Sequence, residues 1–337
     1  MKNEQLIKSV LLTLMITFFG RGMSKAVTVD LYVDEWTTRP ATMSVAERSL
    51  SALLTEVNYA QKNNTHISNR SLNMSDFAKK SVERIWTVTP FYCPEEEEVL
   101  LLKCIVYGNG NMEVRNIPLI IKPQGEMFGN DDFQNAVVEF DAQGKITDFR
   151  FTMSAHPITF ADELDKRFGN EVVETEQLHI IRRYMENFRT AYNQKDITTI
   201  ENLFSDDALI ITGHVTQRVS QGDGRMMKPQ VVFNKQTKQQ YIANLKKAFA
   251  RNKWIQVTFD KNMEIRRSKK DPTMYGLKVN QSWKSSNYSD EGCLFLIWQF
   301  RDGEDPIIHV RTWQPLKDGD MELEVDDDIS SLAGFDL

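Results

Sequence analysis

The stretch from Gly292 to Pro315 reads Gly-Cys-Leu-Phe-Leu-Ile-Trp-Gln-Phe-Arg-Asp-Gly-Glu-Asp-Pro-Ile-Ile-His-Val-Arg-Thr-Trp-Gln-Pro. Leu294 to Trp298 is a nearly continuous run of β-prone residues, and Ile307 to Trp313 resumes a β-branched and aromatic pattern. Between them lies Asp302-Gly303, a strong turn dipeptide. The stretch predicts a long β-hairpin with one face covered, and the covering layer must come from elsewhere in the chain.

Helices precede strands twice along the chain. In the second half, amphipathic helices are predicted from Glu176 to Tyr192 and from Thr237 to Ala250, with a short helix from Ile197 to Phe204 between them. In the first half, a capping box at Ser44 and a second helix start at Ser75 precede strands that begin at Val99. Runs of helices followed by runs of strands predict the α+β class. We therefore expect two tandem domains, each a curved antiparallel sheet wrapped around helices, with the helix from Glu176 to Tyr192 covering the hairpin.

The N-terminus has the order of a secretory signal peptide. Lys2 and Lys8 precede an apolar run, and a Ser-Lys-Ala pattern ends at Ala26. The run is roughly a dozen residues, shorter than the ~20 that a membrane-spanning helix needs. We predict export to the periplasm or the exterior, removal of residues 1–26 and no membrane span afterwards. The alternative is an N-terminal anchor or amphipathic helix, because Arg21 and Lys25 are atypical beside a cleavage point.

The rest of the chain divides by composition into four parts. We predict a first domain over 27–155, a linker over 156–173 that contains Pro157 and Gly169, a second domain over 174–316 and an acidic tail over 317–337. In the tail, acidic residues alternate with Met321, Leu323 and Val325. Such a tail can dock on a protein partner, or it can be a disordered, solubilising segment.

Composition excludes several classes of function. The 337 residues carry a net charge of -6, which argues against nucleic acid as a partner. The three cysteines are Cys93, Cys104 and Cys293, and their spacing fits no zinc site, so neither a metal nor another cofactor is predicted. Cys93 and Cys104 can pair across a hairpin, or all three can be buried thiols.

A family resemblance rests on several segments of the second half. The long helix is followed by Asn193-Gln194-Lys195-Asp196-Ile197 and then by Leu203-Phe204-Ser205-Asp206-Asp207-Ala208, and three strands close the domain. Over roughly residues 174–315 this resembles the nuclear transport factor 2-like family, also described as cystatin-like or SnoaL-like, in the tandem form of exported bacterial proteins. The first half is similar in outline only. The resemblance implies a bent sheet around helices, a conical pocket between them, and homodimers formed through the open sheet face.

Aromatic side chains of the second half are the candidates for lining that pocket. They are Tyr184, Phe188, Trp254, Tyr275 and Trp298, and they suit a small apolar or aromatic ligand. The alternative interpretation is that these rings fill the core of the domain.

The candidates for catalysis are His214 and Asp207, and two further candidates are Asp206 and His309. A buried carboxylate or histidine can abstract a proton next to a carbonyl, with Tyr184 or Tyr275 donating to the oxyanion. A turn role for the aspartates is the alternative. No Walker loop, GxSxG, HExxH or EF-hand pattern is present.

Together these features favour an exported, non-catalytic binding protein that holds a ligand or partner in a cone-shaped pocket or on an open sheet face. Two alternatives remain. One is a small-molecule isomerase or lyase that uses a pocket His or Asp, and the other is a dimerising interaction scaffold with a docking tail.

Overall fold

A computed structural model describes residues 26–94, 99–121, 133–153, 175–216, 230–261, 263–268, 270–301, 303–318 and 321–323. The chain divides into two compact units, the first ending at Phe149 and the second beginning at Arg150. The predicted linker, all of the predicted signal peptide except Ala26, and most of the acidic tail lie outside the described residues. Among the helices that are described, none has the length and apolar character needed to cross a membrane.

In its described residues, the first unit combines two helices with one sheet. The sheet order is β1-β3-β4-β5-β6, and β2 pairs with β4. The elements are α1 (Met43–Asn63), α2 (Asp76–Val88), β1 (Val29–Tyr32), β2 (Phe91–Tyr92), β3 (Leu100–Val106), β4 (Met112–Ile121), β5 (Phe133–Phe140) and β6 (Ile146–Phe151).

Capping residues are predicted for both helices of this unit, at Ser44 and Ser75, and one of the two predictions is confirmed. Ser75 caps α2 as predicted, because its hydroxyl accepts a hydrogen bond from the Ala78 N–H at 3.1 Å. The capping box predicted at Ser44 is not formed. Instead, α1 begins at Met43 after Thr42, whose side chain makes no capping hydrogen bond.

Two details of the first unit differ from a simple antiparallel meander with a cross-strand disulfide. Strand β1 runs parallel to β3, and the two helices between them in the chain supply the crossover that a parallel pair requires. Cys93, Cys104 and Cys293 are all buried and none of them forms a disulfide, so the possible Cys93–Cys104 bond is not formed.

The second unit repeats the α+β arrangement. Its sheet order is β10-β11-β12-β13-β7-β8, β9 pairs with β11, and β14 and β15 form a separate short pair. The elements are α3 (Thr175–Asn193), α4 (Ile197–Leu203), α5 (Lys238–Arg251), β7 (Phe204–Thr216), β8 (Gln230–Gln236), β9 (Ile255–Phe259), β10 (Glu264–Arg267), β11 (Met274–Ser285), β12 (Ser289–Gln299), β13 (Ile307–Pro315), β14 (Lys317–Asp318) and β15 (Met321–Glu322). The predicted class, α+β in two domains, is confirmed.

The predicted hairpin is the β12–β13 pair. Leu296 stands opposite Arg311, and a register shift after Ile297 then places Trp298 opposite Ile308. Residues directly opposite each other share a face of the sheet. The bulge therefore breaks the strict alternation expected from sequence, and Ile308 and Arg311 both face the core.

Helix α3 covers this face of the hairpin, as predicted. Phe188 packs edge to face against Trp298, with ring centroids 6.5 Å apart. Helix α5 adds Tyr241 and Leu245 to the same buried cluster. The core of the second unit thus lies between these two helices and the sheet.

A second side of α3 carries buried charge. Glu186 accepts a hydrogen bond from Arg150 at 3.1 Å, and the two side chains are 0% and 1% exposed. Arg189 donates to the carbonyl oxygens of Val257, at 2.6 Å, and of Thr152. Burial lowers the pKa of Arg189 to about 9, partly opposed by the charge of Glu186. These bonds attach α3 to residues 150–152 and to β9.

Candidate functional site

The aromatic residues predicted to line a cone lie mostly in the core of the second unit. Trp298 is 1% exposed, and Tyr184 and Phe188 both contact it, with the Tyr184 ring centroid 6.2 Å away. Tyr275 is buried and packs against Phe300 at 5.6 Å. Their placement matches the alternative in which the rings fill the core. Trp254 is also buried, just before β9.

A cavity of about 600 Å³ lies elsewhere in the second unit, against one end of the sheet. Strands β7, β11, β12, β13 and β14 contribute to its wall, together with the loop between β11 and β12. Its lining residues are Gly213, His214, Val215, Ser282, Lys284, Tyr288, Ser289, Asp290, Glu291, Trp313, Pro315 and Lys317. None of the five predicted pocket aromatics belongs to this wall.

Asp290 is the acidic group of the wall with the most altered environment. It stands opposite Trp283 across the β11–β12 pair. Burial raises its pKa to about 6, although a hydrogen bond with Tyr288 and the charge of Arg311 act in the opposite direction. Its Oδ1 atom is buried and has no hydrogen-bond partner in the described part of the chain. Asp290 does not stand out in the sequence, because one aspartate at a strand start forms no pattern.

Tyr288 shares this environment. Its pKa rises to about 12 through burial first, and then through the charge of Asp290 and the hydrogen bond to it. The phenol therefore stays protonated at neutral pH and can donate to the carboxylate.

Trp313 forms part of the wall because Gly292 leaves room for it. A Cβ atom built on Gly292 would lie 2.3 Å from Cε2 of the Trp313 ring, far inside van der Waals contact. The indole Nε1 of Trp313 is buried and has no acceptor among the described residues. The ring is thus fixed against the strand while its N–H is unsatisfied.

Arg311 lies two residues before Trp313 and on the same side of β13. It is 7% exposed, and its Cζ atom lies 5.2 Å from the centroid of the Tyr241 ring. The hydroxyl groups of Tyr192 and Tyr241 are 2.6 Å apart. Burial and Tyr241 raise the pKa of Tyr192 well above its usual value, and Arg311 partly opposes this by its charge and a hydrogen bond.

The two catalytic candidates lie in different places. Asp207 is exposed and belongs to β7, where the expected turn is instead a bulged strand start: Phe204 pairs with Ile308, and Leu209 already pairs with Val310. The Ser205 hydroxyl donates to Asp207, which is the first cause of its lowered pKa. His214, in contrast, lines the cavity from β7, with an exposed side chain.

The other two polar candidates are engaged elsewhere. Asp206 accepts a hydrogen bond from Lys238 at 2.8 Å, and His309 contacts Gln299 at 2.9 Å. Within the described ranges, no group of three or more His, Cys, Asp and Glu side chains could hold a metal ion.

Comparison with known proteins yields structural neighbours only. No protein-family model matches the sequence, and no curated protein matches it. Solved structures similar to the chain include Bd1075 of Bdellovibrio bacteriovorus, at 14% identity and a TM-score of 0.32 over 43% of this chain and 44% of that one. The chain therefore spans less than half the length of Bd1075.

Two further neighbours are nuclear transport factor 2-like proteins. The one from Cytophaga hutchinsonii is 16% identical, with a TM-score of 0.30, over 42% of this chain and 99% of its own. The one from Pseudomonas putida, of unknown function, is 12% identical, with a TM-score of 0.33, over 46% and 98%. Both are described as nuclear transport factor 2-like proteins, and this is the family that residues 174–315 resemble in sequence. At these identities and TM-scores the similarity says nothing about a ligand, reaction or partner of this chain.

Proposed function

We propose that this protein is an exported binding protein that holds a small ligand in the cavity of its second unit without transforming it. The observation that carries the proposal is the cavity itself, because about 600 Å³ lies within the range of small-molecule sites. Its wall combines ring surfaces from Trp313 and Tyr288 with charged groups such as Asp290 and Lys284. Such a mixture supplies both contact area and orientation to a ligand.

The experiment is native mass spectrometry of the purified protein with a cavity-blocking variant. Ser282 lines the cavity from β11, so Ser282→Trp should fill it and remove any retained ligand mass. Asn280→Trp is the matched control, since Asn280 is exposed on the same strand outside the wall. Retention of the same ligand by Ser282→Trp would contradict the proposal, as would a wild-type protein that binds no small molecule from a screened library.

Export is part of this proposal and rests on the apolar run and the Ser-Lys-Ala pattern that ends at Ala26. We expect the mature chain in the periplasm or medium to begin at Val27. The intact mass of protein recovered from each compartment measures this. A chain that retains Met1 in every fraction would refute export.

A second candidate is an isomerase or lyase that uses the same cavity. It is favoured by Asp290, whose pKa near 6 and hydrogen bond with Tyr288 suit a general base. An enzyme that removes a proton from carbon would exchange deuterium into the bound molecule in heavy water, and Asp290→Asn would stop the exchange. The binding proposal predicts no exchange.

The partner proposals concern the whole chain. A homodimer, suggested by the family resemblance, is tested by sedimentation equilibrium of the full-length protein. Docking of a protein partner by the acidic tail is tested by comparing the complexes formed by the full chain and by a chain lacking residues 324–337. If both chains form the same complexes, the tail is not the docking element.

A further inference from the structure

The sheet of the second unit has an outer face, turned away from α3, that is buried along its middle. One row of paired residues shows this: Ile211 of β7, Thr312 of β13 and Phe295 of β12 are 1%, 0% and 2% exposed. The row continues to Lys235 of β8, which is exposed, and to Lys278 of β11, which is half-buried. Side chains on a sheet face that is open to water stay partly exposed. A layer narrower than the sheet therefore covers the middle of this face.

The described helices of the second unit do not supply this layer. The buried apolar side chains of α3, α4 and α5 all belong to the core on the other side of the sheet. On the outer face, a separate cluster consists of Cys293, Phe295 and Ile297. The apolar side chains that pack against this cluster come from the sheet itself and from the residue that follows β13, and they are Met274, Val310 and Leu316. Among the described residues, no apolar side chain from another layer joins the cluster.

The last described residues of the chain lie beside this cluster. Leu316 follows β13 directly and packs against the cluster. The short β14–β15 pair then turns the chain back, and the Leu323 N–H donates to the carbonyl oxygen of Leu316 at 2.9 Å. The sequence therefore continues from Leu323 at the margin of the buried strip.

The C-terminal segment, residues 324–337, has a length and a composition that suit this strip. From Leu316 back to Val310, β13 covers about 20 Å, and the 14 residues of the segment would span about 21 Å as a helix. Val325, Ile329 and Leu332 recur at the spacing of one side of a helix. The three strands of the strip lie about 10 Å apart from first to last, which is close to the diameter of one helix.

We propose that the C-terminal segment docks on the outer face of its own sheet and covers the cluster of Cys293, Phe295 and Ile297. Its apolar side chains replace water over these residues, and its acidic residues stay in solvent. This contact requires no ligand in the cavity, so it is independent of the proposed function. A docked segment and a homodimer through the same face exclude each other. The segment thus controls access to this face for a second copy of the chain.

The first experiment measures how fast Cys293 reacts with a water-soluble thiol reagent in the full chain and in a chain lacking residues 324–337. Burial raises the pKa of this thiol to about 11, so loss of a cover increases both its exposure and its thiolate fraction. We expect Cys293 to react at least about ten-fold faster in the shortened chain. Cys93 and Cys104, both buried in the first unit, are controls within the same molecule and should react at unchanged rates. Peptide mass spectrometry identifies the labelled cysteine.

Two results of this labelling would overturn the proposal. Equal rates for Cys293 in the two chains would show that another segment, such as the linker over 156–173, covers the face. Protection of Cys293 that is lost when the full chain is diluted would show that a second copy covers it. If all three cysteines react faster in the shortened chain, the truncation has loosened the fold, and point variants of the full chain decide.

These point variants add one negative charge at two nearby positions of the C-terminal segment. Leu332→Asp places the charge in the apolar stripe and should expose Cys293 to the reagent, because a carboxylate is costly to bury against the cluster. Ser330→Asp is the matched control, since Ser330 lies outside the stripe, and Cys293 should react as in the wild type. Equal rates in the two variants would contradict docking through the apolar side chains.

Self-association provides an independent measurement. Because a docked segment and a second copy compete for one face, removal of residues 324–337 should strengthen any self-association of the chain. Sedimentation equilibrium of the full and shortened chains at the same concentrations compares the two. Weaker association of the shortened chain would show that the segment belongs to the contact between copies, and the proposal would be wrong.

Discussion

Asp290 shows how a single residue links the cavity to the stability of the second unit. Burial raises its pKa to about 6, above the usual value for an aspartate, so the folded state favours the neutral acid. The ionised form therefore destabilises the fold, and this cost is absent below about pH 4, grows through about pH 6 and is complete above it.

We expect Asp290→Asn to stabilise the protein at about pH 7.5 by about 1–2 kcal/mol, less than the full shift implies because the side chain is partly solvated. At about pH 4 the difference should shrink to less than about 0.5 kcal/mol, since the folded acid is then neutral and the unfolded one is only about half ionised. Urea unfolding at the two pH values measures the difference. A variant that is destabilised at both would contradict the raised pKa.

The role of Gly292 follows from how closely the Trp313 ring approaches it. Any side chain there meets the Trp313 ring, so Gly292→Ala must displace an aromatic group from the cavity wall. Overpacking of this kind costs about 1–3 kcal/mol. The Trp313 indole signal and the melting temperature report it. Gly108→Ala is the control, because nothing lies within 4 Å of a Cβ at that position, and no comparable loss is expected.

At the scale of an element, helix α3 depends on its buried ion pair. Glu186→Gln removes the carboxylate that pairs with the Arg150 guanidinium, which is 1% exposed. Breaking a buried pair from one side costs about 3–5 kcal/mol. The matched exposed pair is Arg301 and Glu304, at 3.5 Å, where Glu304→Gln should change stability by less than about 1 kcal/mol. Denaturant unfolding of the three proteins tests this, and equal effects of both substitutions would contradict it.

The N-terminus of α5 offers a test of capping within one chain. Thr237 accepts a hydrogen bond from the Gln240 N–H, and the Gln240 side chain bonds back to Thr237. We expect Thr237→Ala to cost about 1 kcal/mol. At the start of α1, Thr42 makes no side-chain cap, so Thr42→Ala should cost no more than a few tenths of a kcal/mol, or about zero. Thermal unfolding compares the two, and a larger effect at Thr42 would exclude this assignment.

Helices and strands could be predicted from the sequence where the repeating pattern of apolar residues extends over many positions. The hairpin and helix α3 follow from repeating apolar positions, and Ser75 follows from its capping chemistry. The bulge after Ile297 did not follow, because one extra residue in a strand leaves no trace in hydrophobicity. For this reason the sequence predicts that Arg311 lies in a strand but does not predict that it faces the core.

At the scale of the whole molecule, the α+β class with two units could be predicted because helices precede strands twice. The cavity could not. Its wall combines residues from five strands and a loop, such as His214, Ser282 and Trp313, which lie far apart in sequence and form no motif. Large rings like Trp298 stood out in the sequence, but they fill the core.

The contact between Gly292 and Trp313 also has an evolutionary consequence. A side chain at position 292 is compatible with the fold only if position 313 has lost its large ring, so the two positions are expected to vary together. Proteins that descend from a common ancestor with this chain should pair a glycine at the first with an aromatic residue at the second, or a larger residue with a small one. Lineages of the second kind would lack the indole ring in the wall of the cavity, and the cavity would differ in shape at this position.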